Sequence, residues 1–239
     1  ESMSNTPYVL PKVRSGLRMG HGELKDHMFL DGLEDAYEEG RLMGSYAEAT
    51  AEAYQFTRQA QDEFAIRSLK RAKKANEDGS FNEEIVPVEV KHRKGSKIIS
   101  QDEQPFSADI SKIPNLKPAF SKDGTVTAAN SSSISDGAAA LVMMSRIEAE
   151  RCNSKPLAKV VAHATNSHDP AWFTTAPIGA IKKVLDKANW NIKDVGLFEI
   201  NEAFAVVPMA AMKDLNLSPE IVNVHGGACA LGHPVGTSG

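Results

Sequence analysis

Apolar positions recur at helical spacing through the first third of the chain. The clearest stretch covers residues 57–76, where Thr57 stands at a typical N-cap position ahead of the apolar series. A second helix is predicted over residues 46–56 and a shorter one over residues 26–36. The longest helix is expected to bury one face, formed by Ala60, Phe64, Ala65, Leu69 and Ala72.

In the second half of the chain, apolar runs that suit strands alternate with helical segments. Short strands are also expected at 85–90 and 97–99, around a basic turn, and Ser145 is the predicted N-cap of a short helix. The alternation predicts an α/β fold with a central sheet and helices on its faces. The predicted strands are 138–144, 157–164, 196–200 and 221–224, and the predicted helices between them are 177–189 and 202–214.

Composition and charge narrow the classes of partner. The chain has 239 residues, 41% of them hydrophobic, and a net charge of −4, which gives no overall attraction to nucleic acid or to a membrane surface. No apolar run approaches the ~20 residues that a transmembrane helix needs. The two cysteines, Cys152 and Cys229, are too few for a disulfide framework, and His21 and His27 lack metal-ligand spacing, so no metal is expected.

Two polar motifs follow predicted strands. Asn201 begins an Asn-Glu-Ala-Phe segment, and His233 lies between Gly232 and Pro234 in a glycine-rich turn. Each motif alone is weak, because asparagine is a common helix N-cap and Gly-His-Pro forms ordinary turns. Strand ends are where catalytic groups of α/β proteins converge, so the pair predicts an active site. A nucleotide-binding module is the alternative for the glycine-rich end, although a P-loop would need Gly-Lys-Ser/Thr, which the chain lacks.

These segments resemble the thiolase family. Residues 223–239 match its Gly-Gly and Gly-His-Pro signature, and Asn-Glu-Ala-Phe at 201–204 matches its preceding catalytic loop. Residues 25–49 and 118–140 are similar to its loop domain and to the segment that follows. The likeness covers essentially all of the chain and implies the thiolase fold, an α/β fold with layers in the order αβαβα.

The resemblance also implies that the chain is a fragment. Residues 1–134 would hold the end of the N-terminal core domain entry and the CoA-binding loop domain, residues 135–154 the last strand and helix of that core domain, and residues 155–239 an incomplete C-terminal core domain. The family's nucleophilic and acid/base cysteines would lie before and after these residues. We therefore expect Cys152 and Cys229 to be non-catalytic, and the fragment alone to be inactive and to fold poorly, with exposed sheet edges.

The function implied is an acyltransferase reaction of lipid metabolism, the reversible, thiol-dependent Claisen condensation of two acetyl-CoA molecules to acetoacetyl-CoA and CoA. CoA would be substrate and product, with no cofactor. A longer-chain 3-ketoacyl-CoA thiolase of fatty-acid β-oxidation and a non-catalytic CoA-binding or scaffold protein are the alternatives. Leu42 replaces the histidine usual in acetoacetyl-CoA thiolases, which leaves the chain-length preference open. A homo-oligomer, dimer or tetramer, is expected for the full-length protein, in the cytoplasm, with mitochondrion and peroxisome not excluded.

Site residues follow from the same resemblance. His233 would activate the nucleophile and donate to an oxyanion hole, Asn201 would orient a water in that hole, and Glu202 would tie the loop in place. For the apolar positions among the CoA-binding residues, ordinary core packing is the alternative. The basic helix segment 67–74 is interpreted as a solvated face, part of which could meet CoA phosphates. The implied CoA-binding residues are Ser132, Ala128, Phe120, Leu33, Met43, Ala203, Phe204 and Lys112.

Overall fold

The computed structural model describes residues 1–93 and 95–238. In the first half of the sequence, two consecutive helices contribute buried side chains to the core. Helix α1 spans Met43–Tyr54 and helix α2 spans Arg58–Glu77. The Thr57 hydroxyl accepts a hydrogen bond from the Ala60 backbone N–H at 3.1 Å, which confirms the predicted N-cap. The predicted face of α2 is buried, apart from Ala60, which is half-buried.

Helix α6, Val206–Leu215, packs between α1 and α5, Ala176–Ala188, in the main hydrophobic cluster. The expected helix over 177–189 is confirmed, whereas the helix expected from residue 202 begins four residues later. Residues 203 and 205 instead hydrogen-bond to a neighbouring extended segment: Ala203 O accepts from Ser132 N, and Ala205 N donates to Asn130 O. These long-range bonds outcompete the local helical preference of that sequence.

The strands are fewer and shorter than the sequence suggests. Strands β1, Tyr8–Val9, and β2, Lys25–Asp26, form one antiparallel pair. Strands β3, Val88–His92, and β4, Gly95–Ile99, form an antiparallel hairpin, near the positions expected. A central sheet over the four predicted strands is not assembled within the described ranges.

Some of the predicted strand segments pair with another segment and others do not. Phe198 and Val222 pair in a single parallel bridge, which consists of the Phe198 N–Ile221 O and Asn223 N–Phe198 O bonds of 2.8 and 2.9 Å. Segments 138–144 and 157–164 carry no ladder among the described residues. Leu141 is 88% exposed and Leu157 98% exposed, so these apolar runs lack the neighbouring strand that a ladder requires.

The remaining elements are short. The helix expected over 26–36 is a single π-helical turn, Phe29–Leu33, whereas the helix after Ser145 forms as α4, Arg146–Arg151, capped by the Ser145 hydroxyl. No helix of the two described ranges is long and apolar enough to cross a membrane. The other helical pieces are α3 (Gln104–Ser107), α7 (Ala228–Leu231), α8 (Val235–Ser238) and the 3-10 turns Ile110–Asn115, Pro170–Thr175, Ile192–Asp194 and Pro219–Ile221.

Candidate active site

The two residues expected to be catalytic lie together. The Asn201 side-chain nitrogen is 3.3 Å from both ring nitrogens of His233, so neither nitrogen is singled out as its partner. Asn201 follows the segment that carries the Phe198 bridge, and His233 stands between α7 and α8. Asn201 does not cap a helix, because α6 begins only at Val206. The fold therefore brings an amide and an imidazole from distant positions into one group.

A buried asparagine fixes the strand end ahead of Asn201. The Asn223 side-chain oxygen accepts from Ile200 N, and its nitrogen donates to Ile200 O, each at 2.8 Å. Asn223 takes a left-handed backbone conformation, φ 48°, which asparagine tolerates better than most residues. It thus joins the end of one parallel segment to the start of the glycine-rich turn.

Glu202 is fully buried and binds the same turn. Its carboxylate accepts from the Ser68 hydroxyl at 2.6 Å, from the Asn223 amide at 2.8 Å and from Cys229 N at 3.1 Å. Burial raises the pKa of this carboxyl group, and the three hydrogen bonds act in the opposite direction. Every recorded partner is a structural group of the loop or of α2, which supports a loop-fixing role for Glu202.

Close packing explains why glycine occupies two positions of the turn. Gly226 has φ 82°, and a Cβ there would lie 2.6 Å from the Ser68 carbonyl oxygen of α2. Gly232 has φ 90°, and a Cβ there would collide with the hydroxyl of Ser135. A side chain at either position would push the turn away from its neighbours.

A third segment, residues 131–135, lies between the Asn201 loop and the His233 turn. Ser132 N donates to Ala203 O at 3.0 Å, and His233 N donates to Ser133 O at 3.3 Å. The same segment forms a bridge from Ser131 to Phe204. One extended segment therefore aligns the Asn201 loop with the His233 turn, a connection that the sequence motifs did not reveal.

His233 is half-buried. Burial lowers the pKa of its imidazole, and the Glu1 carboxylate opposes this effect. The neutral ring therefore predominates at neutral pH. A neutral imidazole can accept a proton from a thiol and return it, which is the chemistry of an activated thiol nucleophile.

Several of the residues expected to bind CoA pack around Phe204, three positions after Asn201. The Phe120 and Phe204 rings meet edge to face with their centroids 6.0 Å apart, and Phe120 covers Gly44 so closely that no Cβ would fit there. Met43 and Ala203 pack against the same hydrophobic cluster. Ser132, bonded to Ala203, completes the set at its polar edge.

Ala128 and Lys112 lie together in a separate cavity of about 340 Å³, which Gln104 and Cys229 also line. Lys112 is exposed and forms a 3.4 Å ion pair with Asp109. A larger cavity, about 670 Å³, lies between α1 and residues 120–125 and shares only Phe120 with the expected CoA residues.

Leu33 is half-buried at the end of the π-helical turn. Within the described ranges, Leu33 is not among the residues that pack in or against the hydrophobic cluster of Phe204. Its proposed role therefore stays a prediction.

Neither cysteine belongs to the Asn201–His233 group. Cys229 is buried beside Phe64 and Ala205, and burial, together with the nearby Glu202 charge, raises the pKa of its thiol well above the ordinary value. Cys152 is exposed at the end of α4, 3.5 Å from a Glu148 carboxylate oxygen. In the part of the chain that the structure describes, no three His, Cys, Asp or Glu side chains converge as metal ligands.

The basic face of α2 is partly structural. Arg71 donates to the carbonyls of Pro219 and Val222 at 3.0 and 2.8 Å, and so holds the segment that leads to the glycine-rich turn. Arg67 lies 5.0 Å from the centre of the Phe64 ring, and burial lowers the pKa of its guanidinium. Lys74 forms a 3.0 Å ion pair with Asp78 on the solvated side. The interpretation of residues 67–74 as a solvated face thus fits Lys74 but not Arg71.

Comparison with known families identifies the architecture. The thiolase N-terminal domain family matches residues 1–147, and the thiolase C-terminal domain family matches residues 154–239. The chain belongs to the thiolase family. The expected fold class is thereby confirmed, whereas the domain boundaries at 134 and 154 stay predictions.

Individual thiolases are similar along the whole chain. Acetyl-CoA acetyltransferases of Schizosaccharomyces pombe and Rhizobium meliloti are 46% and 48% identical over 100% of the chain and 61% of their own length. Among solved structures, the Bacillus anthracis acetyl-CoA acetyltransferase superposes with a TM-score of 0.94 at 43% identity, covering 99% of this chain and 60% of that one. A thiolase from Ascaris suum in complex with coenzyme A gives 0.88 at 40% identity, covering 100% and 61%. The chain thus spans about 61% of the length of the curated relatives it matches.

Proposed function

We propose that the protein catalyses reversible acetyl transfer between CoA thioesters, in which two acetyl-CoA molecules give acetoacetyl-CoA and free CoA. The observation that carries the proposal is the Asn201–His233 pair, with its 3.3 Å contacts, at the junction of two loops. The names of relatives 46–48% identical over the whole chain support the same substrate class.

The chemistry assigns a role to each group. In the forward direction, a thiol sulfur gives up its proton and displaces CoA from one acetyl-CoA, and the departing CoA takes that proton. A second thiol group, in its thiolate form, then removes a proton from the Cα of another acetyl-CoA. This carbon attacks the enzyme-bound acetyl carbon and displaces the first sulfur as a thiolate, which recovers the proton from the second thiol. The neutral His233 imidazole accepts the thiol proton, and Asn201 with its water stabilises the negative charge on a thioester oxygen. Losing one such donor typically lowers kcat by about 10²–10³-fold. Cys152 and Cys229 lie outside this group, so we assign the acyl-accepting thiol and the second thiol to other cysteines of the longer span that the relatives have.

The proposed path of CoA passes the Met43–Phe120–Phe204 cluster and Ser132. The cluster offers apolar packing to the pantetheine arm, and Lys112 offers a cation toward the nucleotide phosphates. CoA enters as substrate and leaves as product, and no further cofactor is proposed. Activity that survives exhaustive dialysis against a chelator is expected, and loss of activity that a metal restores would contradict this part.

The test is acetoacetyl-CoA cleavage by the native protein and its His233→Ala and Asn201→Ala variants. Both variants should lose at least about tenfold in kcat while retaining CoA affinity, because the lost interactions grow toward the transition state. Ser132→Leu should instead raise KM with a smaller change in kcat. Near-normal turnover by His233→Ala would refute the assignment.

The assembly and compartment of the protein are also proposals. We infer a homo-oligomer, dimer or tetramer, located in the cytoplasm and serving lipid metabolism. Light scattering on the purified native protein and fractionation of cells that express it test the two statements. A monomeric mass or a mitochondrial or peroxisomal location would overturn the corresponding one.

A further inference from the structure

A series of hydrogen-bonded polar side chains lies behind the His233 turn. The Ser133 hydroxyl donates to the Gln104 side-chain oxygen, and the Gln104 side-chain nitrogen donates to Cys229 O at 2.8 Å. The carbonyl of Cys229 can only accept, so the amide nitrogen must face it and the amide oxygen must face Ser133. The orientation of the Gln104 amide is therefore fixed by its two partners.

This series of hydrogen-bonded side chains contacts the His233 turn on both sides. Cys229 lies in α7, four residues before His233, and Ser133 O accepts the backbone N–H of His233 itself at 3.3 Å. The Ser135 hydroxyl adds a third contact, 3.0 Å from the Ser133 hydroxyl and directly under Gly232. The turn is thereby held between α7 and the 131–135 segment through one glutamine.

We propose that Gln104 and Ser133 are positioning residues that set the orientation of the His233 imidazole against Asn201. The proposal rests on the catalytic function proposed for that pair. A rigid supporting shell matters because a displacement of about 1 Å at a reacting group can cost on the order of 10²-fold in rate. Gln104 also lines the cavity that holds Lys112 and Ala128, so the same amide borders the proposed CoA path and the histidine turn.

The experiment compares Ser133→Ala, Gln104→Leu and the double variant in the native protein by acetoacetyl-CoA cleavage. Each single variant should lower kcat at least tenfold and change KM less than twofold. The double variant should be no slower than the slower single variant, because both substitutions interrupt the same series of hydrogen bonds. Gln59→Ala is the matched control, since it removes an exposed glutamine amide that donates to Glu63 on the same helix, and it should leave both constants unchanged.

A second readout does not depend on turnover. In Ser133→Ala the imidazole of His233, measured by nuclear magnetic resonance, should titrate closer to the ordinary histidine pKa than in the parent. The backbone bond from His233 N to Ser133 O remains, but the turn loses its support through Gln104, and the ring becomes more exposed. If the parent shows no cleavage activity, the proposed function fails, and this titration still decides the positioning role. Gln104→Glu keeps the acceptor for Ser133 and removes the donor to Cys229, so it provides a variant of nearly unchanged volume should Gln104→Leu fail to fold.

Three results would overturn the proposal. The first is unchanged kcat in both single variants. The second is a rise in KM in both single variants without a change in the pKa of His233. It would mean that Gln104 and Ser133 contribute to CoA binding alone. The third is additive losses in the double variant, which would mean that the two residues act independently.

Discussion

At the residue scale, environment rather than residue type separates the reactive groups from the structural ones. Glu202 and Cys229 both carry ionisable side chains next to the glycine-rich turn, yet both are buried and tied to backbone or side-chain partners. His233 is half-buried and faces an exposed amide. The group left free for proton transfer is therefore the imidazole.

His233 should titrate below the ordinary histidine value of about 6.5. Burial is the main cause, and Glu1 opposes it, so Glu1→Gln should lower the pKa of His233 further. Because the folded state binds this proton more weakly than the unfolded state, the contribution of the neutral ring to stability is fully present above the unfolded pKa and is lost as pH falls from that value through the lower folded pKa. Histidine resonances followed from pH 8 to about pH 4 check this, and a midpoint at or above the ordinary value would contradict it.

At the scale of elements, short-range signals decide where helices begin, and long-range bonds decide where they are delayed. Helices α2 and α4 begin after their predicted caps, Thr57 and Ser145. Helix α6 begins late, because the preceding residues bond to the segment at 130–132. Caps are read from sequence, whereas such cross-chain bonds are not.

Removing the cap of α2 should destabilise the protein. Thr57→Ala should lower the free energy of unfolding by about 0.5–2 kcal/mol, because the Ala60 N–H loses its partner. Thr57→Ser keeps the hydroxyl and serves as the control, with little change expected. Denaturant unfolding of the three proteins gives the comparison, and equal midpoints for the parent and Thr57→Ala would show that the cap contributes nothing.

Substrate length should be set in part at the start of α1. Leu42 is the half-buried N-cap residue of α1 and bridges to Glu34. We expect acetoacetyl-CoA to have a higher kcat/KM than a medium-chain 3-ketoacyl-CoA, with overlap, because an apolar pocket discriminates by only about 1–3 kcal/mol per methylene. Leu42→His should widen the difference. Competition between the two substrates measures it, and a medium-chain preference in the parent would favour the longer-chain branch.

At the scale of the whole molecule, the described residues expose more contiguous apolar surface than is usual for a monomer. Two extended apolar runs stand open to solvent, around Leu141 and Val142 in one and Leu157 and Val160 in the other, at 71–98% exposure. Unpaired backbone and exposed apolar side chains on extended segments favour association.

Residues 1–239 expressed alone should therefore self-associate and bind a hydrophobic dye. Leu141→Lys with Leu157→Lys should reduce both effects, whereas Leu24→Lys, at an exposed apolar position outside the two runs, should not. Light scattering against concentration provides the measurement. A monodisperse monomer without dye binding would show that these runs are harmless.

The sequence by itself determined the helices with clear periodicity and caps, the two strand-end motifs and the family that carries them. These features are local, and each is specified by residues within a few positions of one another. Only the tertiary structure decided that Asn223 and Glu202 tie the turn to Ser68, 134 residues away from Glu202, and that Gln104 and Ser133 meet behind His233. Such bonds join polar residues with no shared periodicity. The predicted strands at 138–144 and 157–164 show the same limit, because a strand forms only beside a partner and its own sequence does not say which segment will pair with it.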